Sequence, residues 1–173
     1  MQTASVTLSL QRSKAYRAIF WGGLIAGVLD IIAAFINSGV RGVGPLRVLR
    51  GIASGLLGAE AAKGGLAAAA LGVVLHFFIA TTATAVYYFA SRKLELLVQQ
   101  AVVCGIIYSV AVYSFMNSAV VPLSAFPYKI PYNVIGLLIH IFCVGLPIAL
   151  VVRWHSTHNA TQTSRNQVTG NRE

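Results

Sequence analysis

The chain has 173 residues, of which 57% are hydrophobic and only 10% charged, well under half the charged share of soluble domains. That balance excludes intrinsic disorder, a solvated nucleic-acid-binding domain and most soluble enzymes, and it points to a membrane. The formal net charge of +9 comes from 13 Lys and Arg against four acids, Asp30, Glu60, Glu95 and Glu173. Most of the basic residues flank apolar runs, where membrane topology and anionic headgroups put them, so lipids rather than nucleic acid are the expected partners.

In chain order, residues 1–15 read as a short polar arm. A first span is predicted over 16–37; it is too long for a signal-peptide core and is read as retained. The glycine-rich stretch that follows carries Arg41, Arg47, Arg50, Glu60 and Lys63. Within it, residues 46–62 hold a helical stripe of Leu46, Leu49, Ala53 and Leu56 opposite Arg47, Arg50 and Ser54. This suits an interfacial helix, and Gly51, Gly55 and Gly58 leave a re-entrant dip open as the alternative. Arg41, Arg47 and Arg50 are candidate contacts to lipid or to a partner. Glu60 and Lys63, three apart, should pair on a helix surface.

A second span is predicted over 66–90, then a basic turn at Ser91-Arg92-Lys93 and a third span over 96–121. Pro122, Pro127 and Pro131 make the next stretch an ordered loop. The fourth span is predicted over 134–152, before a disordered polar tail, 153–173, with solvated His155 and His158 and a sequon at Asn159. The fold class is thus all-α: an integral membrane four-helix bundle with one additional interfacial or re-entrant helix in its first loop. Trp21, Trp154, Tyr16, Tyr87, Tyr88, Tyr128 and Tyr132 fall near span ends, as an aromatic belt would.

Ionisable groups inside spans cost a few kcal/mol and need a reason. Three are present: Asp30, His76 and His140. At 1.5 Å per residue they lie at similar depths, in the half of the bilayer away from the termini, and Tyr113, Ser114 and Asn117 reach the same levels. The faces agree. Gly23, Gly27, Asp30, Ala34 and Asn37 share one side of span one; Gly72, His76, Ala80, Ala83 and Tyr87 share one side of span two; Gly136, His140, Cys143 and Pro147 share one side of span four. Small residues let membrane helices approach, so these faces should point into the bundle. A polar cluster of Asp30, His76, His140, Asn117, Tyr113 and Ser114 is expected. It reads equally as a functional site or as hydrogen bonds that clamp the packing. Cys104 and Cys143 fall at matching levels and read as packing residues. No metal-binding motif, Walker motif, G-x-S-x-G or pair of catalytic acids occurs, so neither an enzyme nor a bound cofactor or metal is expected.

The second half resembles the YagU-like group of uncharacterised bacterial inner-membrane proteins. The resemblance rests on residues 75–153: Leu75-His76-Phe77 with Ala80, Tyr87-Tyr88-Phe89, Gly105, Pro122-Leu123, Phe126-Pro127, Gly136, His140 and Arg153. Two acids associated with the family are missing, one in the last span, where Ile148-Ala149-Leu150 stands, and one after the second span, where Ser91-Arg92-Lys93 stands. The first third of the chain is not covered. The resemblance implies a bacterial inner membrane and carries no activity.

Three functions remain open: transport or proton and ion handling through the polar cluster, for which four spans suggest a homodimer; a non-transporting structural or partner-binding role; and a haem-binding redox module using His76 and His140. An even number of spans puts both termini on one side, and eight of the 13 Lys and Arg fall there, which favours the cytoplasm. A thiol placed in the tail should therefore label only from the cytoplasmic side; labelling from outside the cell overturns the orientation.

Overall fold

A computed structural model describes the backbone of residues 2–127 and 132–157, and side chains from residue 15 onward. Lys129, His158, the sequon at Asn159 and the rest of the tail lie outside the described residues. The described part is helical, with no strand. Its elements are α1 (Gln2–Gly39), α2 (Pro45–Leu57), α3 (Gly65–Ser91), α4 (Leu96–Gln99), α5 (Ala101–Leu123) and α6 (Val134–Thr157). A 3-10 turn, Gly58–Ala62, joins α2 to α3, and π segments interrupt α5 at Met116–Val120 and α6 at His140–Gly145.

Four stretches are long and apolar enough to cross a bilayer: Ala15–Gly39, Gly65–Ser91, Ala101–Leu123 and Val134–Thr157. Every span turns large apolar side chains outward, among them Phe20, Phe78, Ile107 and Phe142, each about 60% exposed. A water-facing monomer does not carry such a belt on all sides, so its surroundings are lipid or other protein.

Several boundaries differ from the sequence expectation: Pro122 lies inside α5 rather than in the loop, and α6 does not end at 152 but continues to Thr157, so His155 is partly buried, with Nδ1 on the Val151 carbonyl at 2.9 Å, and not solvated. The first helix does not begin at Tyr16 but runs back through the polar arm to Gln2. The third span begins at Ala101 rather than Leu96, because Gln100 (φ −107°, ψ 46°) breaks the helix after α4. The break leaves the Leu97 carbonyl without a helical donor, and the Tyr87 hydroxyl supplies one at 2.9 Å. Tyr87 is only 1% exposed, so it belongs to the interior and not to an aromatic belt; Tyr16, Trp21 and Trp154 remain exposed.

Side by side, the bundle runs α3, α1, α6, α5, with α2 laid across the first half of α3. Backbones meet where side chains vanish. A Cβ on Gly23 would strike Thr81, on Gly27 the Phe77 ring, and on Gly72 the Leu49 carbonyl of α2. Gly72 therefore faces α2, not another span. Gly105 and Gly145 make the corresponding contact between α5 and α6. Ala26, Tyr87, Ala101, Val144, Ile148, Ala149 and Val152 fill the core toward the termini, and Ala53, Ala61 and Ala68 fill a smaller core under α2. In α6 the buried face is Gly145, Ile148, Ala149 and Val152, not the expected continuation through Pro147, because the π segment shifts the helical phase.

The first loop is built by its glycines. Gly42 (φ +76°) turns the chain after α1, and Gly58 (φ +60°) ends α2 with its N–H on the Ser54 carbonyl. Arg50 then ties the segment together, Nη1 to the Ala62 carbonyl at 2.9 Å and Nε to the Leu46 carbonyl at 3.3 Å. Lys63 and Glu60 pair at 3.1 Å as expected. The Ala125 N–H on the Gly55 carbonyl fastens α2 to the end of α5.

A methyl group at Gly145 has no room against Ser109 Oγ and the Gly105 carbonyl, whereas one at Gly39 meets open space. Gly145→Ala should lower stability by about 1–3 kcal/mol, read as a lower melting temperature in detergent. Gly39→Ala should leave it unchanged; equal behaviour of the two variants would remove the α5–α6 contact.

Candidate functional site

The polar residues of the spans come out in three places. Counted from the loop-side helix ends, Asp30, His76, Tyr113, Asn117 and His140 lie roughly 9–17 Å deep, so they do share one half of the bilayer. They do not form one hydrogen-bonded cluster.

His76 lies between α3 and α1. Its Nε2 reaches the Gly27 carbonyl at 2.8 Å, which requires the proton on Nε2, since a carbonyl only accepts. Gly27 permits this, because any side chain there would meet Phe77. The Phe77 ring packs edge-on against the imidazole, with centroids 5.5 Å apart.

A second group joins α5 to the start of α6. The Tyr113 hydroxyl donates to the Asn133 carbonyl at 3.1 Å and accepts from the Asn133 N–H at 2.9 Å. Asn133 also caps α6 by accepting from the Gly136 N–H through its side chain. The Tyr113 ring stands against His140, centroids 5.1 Å apart, and His140 Nδ1 is bonded to its own helix at the Gly136 carbonyl, 2.9 Å. Asn117 donates to the Tyr113 carbonyl at 2.8 Å. The Ser114 carbonyl lies 3.4 Å from the Tyr132 hydroxyl, which also bonds Ser118.

Asp30 stands apart. It is half-buried on α1 and makes no hydrogen bond or ion pair among the described residues. Its carboxylate lies near enough to Cys143, in the π segment of α6, to act on that thiol electrostatically. Asp30 thus makes no hydrogen bond to either histidine of the expected cluster, and both are bonded to backbone carbonyls instead. Among the described residues, no three of His, Cys, Asp and Glu gather as a metal site requires. Both cysteines are free thiols, and Cys104 Sγ donates to the Leu96 carbonyl of α4 at 3.6 Å.

Of the three loop arginines, Arg50 is held by the backbone, as above. Arg47 and Arg50 line a polar hollow of about 400 Å³ with Ser54 and Pro127. Arg41 is exposed and makes no hydrogen bond or ion pair among the described residues; it lines a larger, mostly apolar cavity that meets the first at Gly51.

The sequence reading missed Asn133, although an Asn directly before an apolar run is a helix-start signature. It missed the Tyr108 hydroxyl on the Ala83 carbonyl, 2.7 Å, for which spacing gives no signal. No family model matches the chain, and no similar curated protein or solved structure was found.

Removing the Tyr113 hydroxyl leaves both main-chain groups of Asn133 without that partner. Tyr113→Phe should cost about 1 kcal/mol of stability, seen as a lower melting temperature in detergent. An unchanged melting temperature would show that the α5–α6 joint does not depend on this bond.

Proposed function

We propose that this multi-pass membrane protein handles a proton or another small cation at Asp30, as part of a transport activity. The observation that carries the reading is the position of that carboxylate. It sits mid-span, half-buried, with no hydrogen bond or ion pair among the described residues. A carboxylate at that depth is stabilised by a counter-charge, and the surrounding side chains supply none. A bound proton or cation fills that need.

The neighbourhood supports the reading. Cys143, within electrostatic reach of the acid, belongs to a π segment, and such widened turns are frequent at functional sites. His140 lies one turn before Cys143, with Nδ1 on the Gly136 carbonyl. In its neutral form Nδ1 then carries the proton, and Nε2 is left as an acceptor able to pass a proton on. Four spans are few for a path across the membrane, so we assign the working form to a homodimer. On the resemblance over residues 75–153 we assign it to a bacterial inner membrane, and on the distribution of Lys and Arg we assign both termini to the cytoplasm.

A second reading rests on the bonds of His76 and Tyr113. Both tie one helix to the backbone of another, which favours a packing role for these two residues and a non-transporting structural protein overall. Haem between His76 and His140 has no observation in its favour.

Purified protein in vesicles loaded with a pH-sensitive dye separates the readings. Under an imposed membrane potential, Asp30→Asn should bring proton movement down to that of protein-free vesicles while the melting temperature in detergent stays near the parent value. Unchanged flux removes the transport reading. Unchanged flux together with a shifted melting temperature favours the structural one.

A further inference from the structure

Helices α3 and α5 are held together at one end and apart along the rest. At the end toward the termini the Tyr87 and Tyr108 rings meet edge-on, centroids 5.0 Å apart, and the Tyr108 hydroxyl bonds the Ala83 carbonyl. From there toward the first loop a groove opens between them. Its deep chamber, about 540 Å³, is lined by residues that include Phe78, Thr82, Val86, Val112 and Phe115. Its outer chamber, about 870 Å³, lies against α2 and the end of α1 and is lined by residues that include Val48, Ile52 and Leu75. Ile79, Met116 and Val120 wall both chambers, which makes them one groove.

The groove has a polarity. The deep chamber is almost wholly apolar, with Thr82 Oγ1 turned back to the Phe78 carbonyl of its own helix. The outer chamber ends at Ser38 and Arg41. None of the residues lining either chamber is acidic. The acid of the first loop, Glu60, is engaged by Lys63. The Arg41 guanidinium is therefore an uncompensated cation at the mouth of an apolar slot. From Val121 near the mouth to Tyr108 at the floor is 13 residues of α5, or about 20 Å. Half a bilayer, headgroups included, is about 20 Å.

We propose that this groove binds one anionic membrane lipid, with its phosphate at Arg41 and an acyl chain between α3 and α5 down to the Tyr87–Tyr108 pair. The occupant follows from length, apolar lining and charge together. A neutral lipid would leave Arg41 unused, and a helix from a second copy would bring apolar residues to a cationic mouth. The site stands whether or not Asp30 carries a proton, since the two share no residue.

Native mass spectrometry of the full chain, purified in detergent and mixed with equal amounts of phosphatidylglycerol and phosphatidylcholine, tests it. One phosphatidylglycerol should be retained per protomer in preference to phosphatidylcholine. Arg41→Gln should weaken that preference by about five-fold, the share of one basic residue at a lipid surface. Arg92→Gln, at the opposite membrane face, should leave it unchanged. Val112→Trp, which fills the deep chamber, should reduce retention of both lipids; should it fail to fold, the comparison of Arg41→Gln with Arg92→Gln decides alone. Equal retention of the two lipids, a preference indifferent to Arg41→Gln, or a dimer mass replacing the lipid adduct would each overturn the proposal.

Discussion

Apolar side chains gain nothing by leaving lipid for one another, so two helices in a bilayer have to be held by close backbone approach and by polar groups that cannot face hydrocarbon. The α1–α3 contact supplies both. Gly22, Gly23 and Gly27 of α1 leave room for Thr84, Thr81 and the Phe77 ring of α3, and at Gly23 the α3 backbone itself comes close. That closeness lets His76 reach the Gly27 carbonyl. The contact fixes the face of α1 left for α6, and Asp30 lies within electrostatic reach of Cys143 in α6. The α5–α6 contact repeats the device with Gly105 and Gly145. The two helix pairs then share a core near the termini and diverge toward the loops, where α2 occupies part of the space.

The polar groups of the spans consequently divide by what they touch. His76 and Tyr113 each bond the backbone of another helix, and each thereby joins two spans. Asn117 and His140 bond their own helices, next to residues where π segments leave the regular pattern. Asp30 bonds nothing described. In a medium that penalises unsatisfied charge most, the bonded histidines are accounted for by architecture, and among the described residues Asp30 is the acid within a span whose presence architecture leaves unexplained.

The spans were legible in the sequence because hydrocarbon thickness dictates a length, and a run such as residues 134–152 has few other uses. The small-residue faces of spans one and two were legible for the same reason, and Gly23 and Gly27 do meet α3. Depth was legible as well, since rise per residue is fixed. Pairing was not. Which neighbour Gly72 meets depends on α2 folding back over α3, a tertiary event with no periodic trace. The break at Gln100 has neither Pro nor Gly to announce it. The expected polar cluster divides because equal depth does not imply a shared azimuth. Around α6 the azimuth also changes within the span, where a helical wheel assumes it constant.

That change has its own consequence. A π segment winds one more residue into the helix than a regular α-helix needs for the same rise. Up to His140, α6 keeps the phase that sets its imidazole against Tyr113; after Gly145 it keeps the phase that buries Ile148, Ala149 and Val152. The two halves differ by one residue step, about 100° of rotation. The extra residue is what lets one rod satisfy two partners facing different ways. A shortening by one position within 140–145 would leave a more regular helix, equally hydrophobic and equally able to span, that could serve the core or the polar belt but not both. Sequence length across this segment is therefore under a tighter constraint than residue identity.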